Sequence, residues 1–181
     1  MSGDEFDSVL INGSVGAGKS TTADRLGEEL ERRGVPGAVI DVDELRRSWP
    51  APNGDPFREK MTLANLRAVA GNYRAGGAQV IVAAGVVESI DELARSADAL
   101  AANRLLHVRL TIAPDAAVRR LRVRHGQDLP GLEWHEHRHP ELVHTLERAG
   151  FADEVVIDTT RLTVEEVARS IADHLRAAGD D

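Results

Sequence analysis

The chain has 181 residues, 42% of them hydrophobic, enough for one well-buried core and too little for two. Its formal charge of −8 and 3% aromatic content exclude a surface that gathers phosphate backbone by counterion release and the stacking platforms of single-stranded nucleic-acid binders. With no Cys there is neither a disulfide framework nor a thiolate metal site. The first seven residues lack a basic, apolar leader, and no run approaches the ~18 apolar residues of a membrane helix. A cytoplasmic protein with no nucleic-acid or membrane partner is therefore expected.

Taken in chain order, short β-branched runs alternate with segments of helical period, the pattern of βαβ units and a parallel sheet. The strands are expected at Ser8–Asn12, Gly37–Asp41, Gln79–Ala84, Leu105–Ile112 and Glu154–Ile157. Lys19–Arg33 puts Ala23, Leu26 and Leu30 on one face and ends at Gly34 before Pro36. Glu59–Arg74 repeats the pattern with Met61, Leu63, Leu66, Val69, Ala70 and Tyr73, and stops at Gly76-Gly77. Pro114 suits the first turn of a helix to Arg124. Thr163 with Glu166 reads as the capping box of a last helix over Val164–Ala177, where Val167, Ile171 and Leu175 share a face. The least regular segments are Ser48–Arg58 and Gly126–Pro140, and such segments often carry substrate contacts and lids.

Gly13-Ser14-Val15-Gly16-Ala17-Gly18-Lys19-Ser20 matches G-x-x-x-x-G-K-[ST] in full, between an expected strand and an expected helix. In such a loop glycines let backbone N–H groups turn inward around phosphate oxygens, and the following helix, with Thr21 in its first turn, adds its positive end. Lys19 should reach the β- and γ-phosphates of a nucleotide, and Ser20 should offer a hydroxyl to Mg²⁺.

Two further features join this loop. Val39-Ile40-Asp41-Val42-Asp43 ends the second strand, and Arg120-Leu121 with Arg124 follows the fourth. With them the chain resembles the small P-loop kinases that include adenylylsulfate, shikimate and gluconate kinases and chloramphenicol phosphotransferase, over most of its length. The third strand ends Val80-Ile81-Val82-Ala83-Ala84-Gly85 without an acidic residue, as in the adenylylsulfate and gluconate kinase pattern. The resemblance implies a three-layer α/β/α P-loop NTPase fold with a five-stranded parallel sheet, a single domain over 1–181 and a lid at about 119–140. It implies ATP and Mg²⁺ as cofactors and a small hydroxylated molecule as acceptor of the γ-phosphate. Asp41 would help hold Mg²⁺, and Asp43 would orient or deprotonate the accepting hydroxyl. Arg120 would stack on the adenine, while Arg124 or Arg138 would come from the lid to the transferring phosphate. Asn65 lies where some relatives place acceptor contacts.

Other readings of the same residues stay open at this level. Asp43 is also a good N-cap for a helix opening at Glu44. Arg46 and Arg47, one turn on, can face an anionic group of the acceptor or lie solvated on the surface. A nucleotide-binding regulatory ATPase or switch shares the loop and has no need of Asp43 or a lid. His135-Glu136-His137-Arg138-His139 formally satisfies the H-E-x-x-H pattern of zinc hydrolases, but Pro140 disfavours helix at His139, and a shared helical face for the two outer histidines is not expected. The identity of the acceptor is not legible, and no exposed apolar stripe points to an oligomeric state.

Overall fold

The computed structural model describes residues 5–152 and 154–177. Five strands form one fully parallel sheet: β1 (Ser8–Gly13), β2 (Gly37–Asp41), β3 (Val80–Ala84), β4 (Leu105–Thr111) and β5 (Val155–Asp158). Their order is β2-β3-β1-β4-β5. The helices between them are α1 (Lys19–Arg32), α2 (Val42–Leu45), α3 (Glu59–Ala75), α4 (Ile90–Ala99), α5 (Pro114–His125), α6 (Leu129–Arg148) and α7 (Val164–Ala177). This is the three-layer α/β/α P-loop fold.

Side chains of a strand alternate between faces, so the apolar runs of β1, β3 and β4 fill both layers at once. Val9, Ile11, Val82, Leu106 and Val108 meet Leu26 and Leu30 of α1 and Val167 and Ile171 of α7. Leu10, Ile40, Ile81 and Ala83 turn the other way, onto Leu66 and Ala70 of α3 and Ala99 and Leu100 of α4. Polarity in α4 is confined to one side, and Ser89 caps it through the Glu92 N–H at 3.2 Å. The reading of the sequence passed over this helix because its apolar stripe of Ile90, Leu93 and Ala97 is short.

From β1 the chain first moves outward to β2, then returns through β3 and crosses to β4 on the other side of β1. This reversal opens a crevice at the carboxyl end of β1, the place where open α/β sheets bind ligands.

The segment Gly126–Pro140 is not irregular. After a turn at Gly126–Asp128, α6 runs unbroken through His135–His139 and Pro140 to Arg148. Asp128 caps it through the Gly131 N–H at 3.2 Å, and proline costs an internal helix one hydrogen bond that packing of the buried Leu142 and Leu146 outweighs. The outer histidines do share a continuous helix, yet the Nδ1 of each is already engaged by a backbone carbonyl. His135 Nδ1 lies 2.7 Å from the Gly131 carbonyl and His139 Nδ1 2.9 Å from that of Val15. Among the described residues no group of three or more His, Asp or Glu is disposed to hold a metal ion. None of the described helices is long and apolar enough to cross a membrane.

One polar chain runs through the sheet beneath the phosphate loop. The buried Asn12 accepts from the Gly13 N–H at 2.8 Å and the Val87 N–H at 3.3 Å, and donates to the Val87 carbonyl at 2.9 Å. Its remaining amide proton points to His107 Nε2 at 3.3 Å, so that nitrogen must be the acceptor and the ring neutral. Burial lowers the His107 pKa from 6.5 to about 4, against the opposing pull of Glu154. Because the unfolded chain takes up this proton at higher pH than the folded one, His107 destabilises the fold as pH drops from 6.5 toward 4. The loss reaches about 3 kcal/mol at the low end. In denaturant titrations across that range, His107→Gln, which keeps an acceptor for Asn12, is expected to remove that part of the pH slope.

Candidate functional site

The loop Gly13–Lys19 leaves β1 and enters α1 at the crevice. Gly13 has φ +144°, and a β-carbon there would lie 2.5 Å from the Leu110 carbonyl oxygen of β4, so no other residue fits without displacing the sheet. Gly16 and Gly18 also sit at positive φ, 83° and 95°. Gly18 is the N-cap of α1 and supplies no capping side chain. The N–H groups of the first turn, at Lys19, Ser20 and Thr21, thus face outward with the positive end of the helix. Ser20 and Thr21 are exposed there.

Lys19 folds back over this cradle. Its Nζ donates to the carbonyls of Gly13 at 3.0 Å and Ser14 at 3.2 Å. Burial brings its pKa down to about 8, a change that Asp43 and Asp41 oppose and Arg124 reinforces. One ammonium therefore feels four neighbours at the strand ends: its own loop, two carboxylates from the end of β2, and a guanidinium from α5.

The two aspartates have separate postures. Asp41 ends β2 and is the N-cap of α2, accepting the Asp43 N–H at 2.9 Å. The cap is thus Asp41 and not Asp43, because α2 opens one residue after the strand ends and leaves no room for a later cap. Asp43 is freed from that task, and its carboxylate faces Arg46 Nε at 3.5 Å. Asn65 of α3 does not reach for a ligand but donates to the Leu45 carbonyl at 2.8 Å, holding α2 in place. Arg47 pairs with Glu44 at 2.7 Å.

On the other side of the loop lies a cavity of about 260 Å³ lined by Ala17, Gly18, Thr21, Arg120, Thr159 and Leu162 among others. Arg120 is fixed flat against it. Its guanidinium donates to the Thr159 carbonyl at 2.7 Å, to Thr159 Oγ1 at 3.1 Å and to the Ala17 carbonyl at 3.4 Å. Thr159 in turn bonds the carbonyls of Ala17 and Thr111. After β5, the side chain of Thr159 and its carbonyl together make these contacts. A bigger groove of about 570 Å³, lined by Leu30, Val35, Val39, Tyr73 and Ala78, shares no residue with the site.

The segment 119–140 comprises the end of α5, the turn and the first half of α6, and it is tied to the phosphate loop at both ends. Arg120 bonds Ala17, and the buried His139 meets Val15. Between these ties, the charge of Arg124 disfavours protonation of Lys19, while Arg122 pairs with Glu136 at 3.4 Å. Arg138 is not free for a nucleotide, since it forms ion pairs with Glu88, on the loop after β3, and with Glu141. Glu88 was missed in the sequence, Asn12 showed there only as a polar residue closing an apolar strand, and His139 only as part of the H-E-x-x-H pattern.

A family model described as AAA domain, AAA_18, matches residues 9–136. No curated protein matches the chain. Among solved structures, the APS kinase of Mycobacterium tuberculosis, in complex with AMPPNP and APS, superposes with a TM-score of 0.61 at 18% identity over 95% of this chain and 98% of its own. A gluconokinase from Sinorhizobium meliloti gives 0.60 at 20% identity over 96% and 94%. The tunicamycin resistance protein of Deinococcus radiodurans gives 0.59 at 26% identity over 93% and 94%. A sheet of this order, a complete phosphate loop on it and a model match over most of the chain lead to one conclusion: the protein belongs to the AAA_18 family of P-loop domains, and its structural neighbours include small P-loop kinases.

Proposed function

We propose that the protein is an ATP-dependent small-molecule kinase that transfers the γ-phosphate to a hydroxyl group of its acceptor. The observation that carries this reading is a complete phosphate loop with Lys19 folded over it and, after β2, an Asp43 that is not used as a cap and whose charge acts on Lys19 together with those of Asp41 and Arg124. A nucleotide switch requires the loop alone, whereas a carboxylate free of capping duty beside the phosphate lysine is what an acceptor hydroxyl needs.

In this reading the outward N–H groups of the loop and Lys19 take the β- and γ-phosphates, and Arg120 with Thr159 bounds the base pocket. The hydroxyl of Ser20 and the carboxylate of Asp41 are hard oxygen donors that suit Mg²⁺, which neutralises phosphate charge when bound. Asp43 accepts the proton of the acceptor hydroxyl as its oxygen bonds to the γ-phosphorus; the bond from that phosphorus to the bridging oxygen breaks and ADP leaves. Arg124 stabilises charge on the transferring group, a role that the pairing of Arg138 with Glu88 leaves to it. The residues 119–140 act as the lid of a single domain, and a cytoplasmic location supplies the nucleotide.

The tunicamycin resistance protein among the neighbours supports including antibiotics with sugars and nucleosides as acceptors to be screened. The test is ADP release from Mg-ATP with such a panel, with Lys19→Ala as the silent control. Once an acceptor is found, Asp43→Asn is expected to lower kcat by about 10²- to 10⁴-fold. Its ATP affinity, read by calorimetry, should stay near wild type, and a matching loss of ATP binding would show that Asp43 belongs to the nucleotide site instead. Arg120→Ala should do the reverse, raising the KM for ATP about tenfold or more as the Ala17–Thr159 bridge is lost, with the acceptor KM unchanged.

A further inference from the structure

One peptide unit of the phosphate loop has two ways to face. The Ala17 N–H donates to the Ser14 carbonyl at 3.2 Å, closing a four-residue turn with Val15 and Gly16 at its centre. Gly16 has φ +83°; the described non-glycine residues of positive φ are Arg58 and Ala101, so Val15 keeps the ordinary sign. A positive φ at the third position alone is the mark of a type II turn. Types I and II share the same closing hydrogen bond and differ by a near half-turn of the central peptide, here Val15–Gly16. Glycine in the third position admits both forms, so the residue types of the turn do not select between them.

The neighbouring carbonyls are held by groups of the site itself. Lys19 takes those of Gly13 and Ser14, and Arg120 with Thr159 takes that of Ala17. The Val15 carbonyl, on the central peptide, is held from α6, where Nδ1 of the buried His139 lies 2.9 Å from it. A carbonyl only accepts, so Nδ1 carries a proton and donates. The ring is also placed from behind. Its neighbour Arg138 pairs with Glu88, and the backbone of Val87 is bound on both sides by Asn12, which accepts the Gly13 N–H as well. A closed circuit thus runs from Gly13 through Asn12, Val87-Glu88 and Arg138-His139 back to Val15, and Lys19 is no part of it.

From this turn and its tie we propose that His139 is a positioning residue that selects the type II form of the loop and so aims the Gly16 N–H into the phosphate cradle. In a trans peptide the carbonyl and the N–H point in opposite directions, and drawing the Val15 oxygen toward α6 turns the Gly16 N–H away from that helix. Lys19 does not serve this end, because it holds the two earlier carbonyls and in the proposed function is itself a ligand of the phosphates. Without the His139 donor the turn divides between its two forms, and the apparent affinity for phosphate falls with the fraction that presents the N–H. The inference rests on the proposed function for the identity of the anion, a nucleotide phosphate, and not for the selection of the turn.

The test compares His139→Asn, His139→Gln and His139→Leu in the full chain. The amide nitrogen of Asn is bonded to Cγ, as Nδ1 is, and keeps the donor for Val15; that of Gln lies one bond further out, and Leu has none. Two quantities are read: the backbone amide resonance of Gly16 in isotope-labelled protein without ligand, and the affinity for Mg-ADP by calorimetry. His139→Asn is expected to keep both near wild type. His139→Gln and His139→Leu should shift or split the Gly16 resonance and weaken Mg-ADP binding about tenfold. A side chain that merely fills space gives the opposite order, with Gln and Leu near wild type and the smaller Asn worst. That order, or a Gly16 resonance unmoved in both His139→Gln and His139→Leu, overturns the inference. His139→Gln, close to His in size and polarity, keeps the comparison with His139→Asn decisive even where the apolar variant does not fold. The expected Gly16 pattern in a wild-type protein that binds no Mg-ADP upholds the positioning role and instead removes the nucleotide reading.

Discussion

A lysine ammonium buried at the end of the central strand is the constraint on which the rest of this site depends. Burial lowers the Lys19 pKa to about 8, and its direct partners are two carbonyls of its own loop. A cation so placed is poorly compensated until an anion arrives, and the unpaired N–H groups at the start of α1 point to the same place. In the proposed kinase that anion is the nucleotide phosphate. Asp41 at the end of β2 and Asp43 on α2 offset part of that charge, and Arg124 works against them from α5.

The loop that holds Lys19 is itself held from three directions. Beneath it, Asn12 ties Gly13 to the Val87 backbone, with all its amide valences engaged. From α5, Arg120 reaches Ala17; from α6, His139 reaches Val15. Both ends of segment 119–140 are therefore attached to the phosphate loop by single hydrogen bonds, while Arg122 and Arg124 lie between the attachments.

Charge is distributed by role rather than evenly. Arg120 of α5 is tied to the phosphate loop, whereas Arg46, Arg47 and Arg138 are each matched by carboxylates. Arg46, Arg47 and Arg138 look alike in sequence, as basic residues near expected substrate segments, yet in the structure they neutralise local acids. A pairing of Arg138 with Glu88, 50 residues apart, has no sequence pattern. Helix α6 makes the same point: proline at 140 reads as a boundary, and only the burial of Leu142 and Leu146 shows why the helix continues past it.

The sequence by itself determined the layer architecture, four of the six helices of ten residues or more to within a residue or two at most ends, and the phosphate loop. These depend on local period and on glycine chemistry: an alternation of β-branched runs with amphipathic stretches, and a loop whose residue types admit one geometry. It also placed Asp41 and Asp43 at a strand end, because strand length fixes where a side chain leaves the sheet. Tertiary structure alone decided which of the two aspartates caps α2, that Thr159 braces Arg120, that Asn12 and His139 hold the loop, and that Glu88 occupies Arg138. The cap is a local contact set by where β2 ends; each of the others joins residues distant in the chain, set by the order β2-β3-β1-β4-β5 and the packing of α5 and α6 on it, and long-range pairing leaves no periodic trace in the sequence.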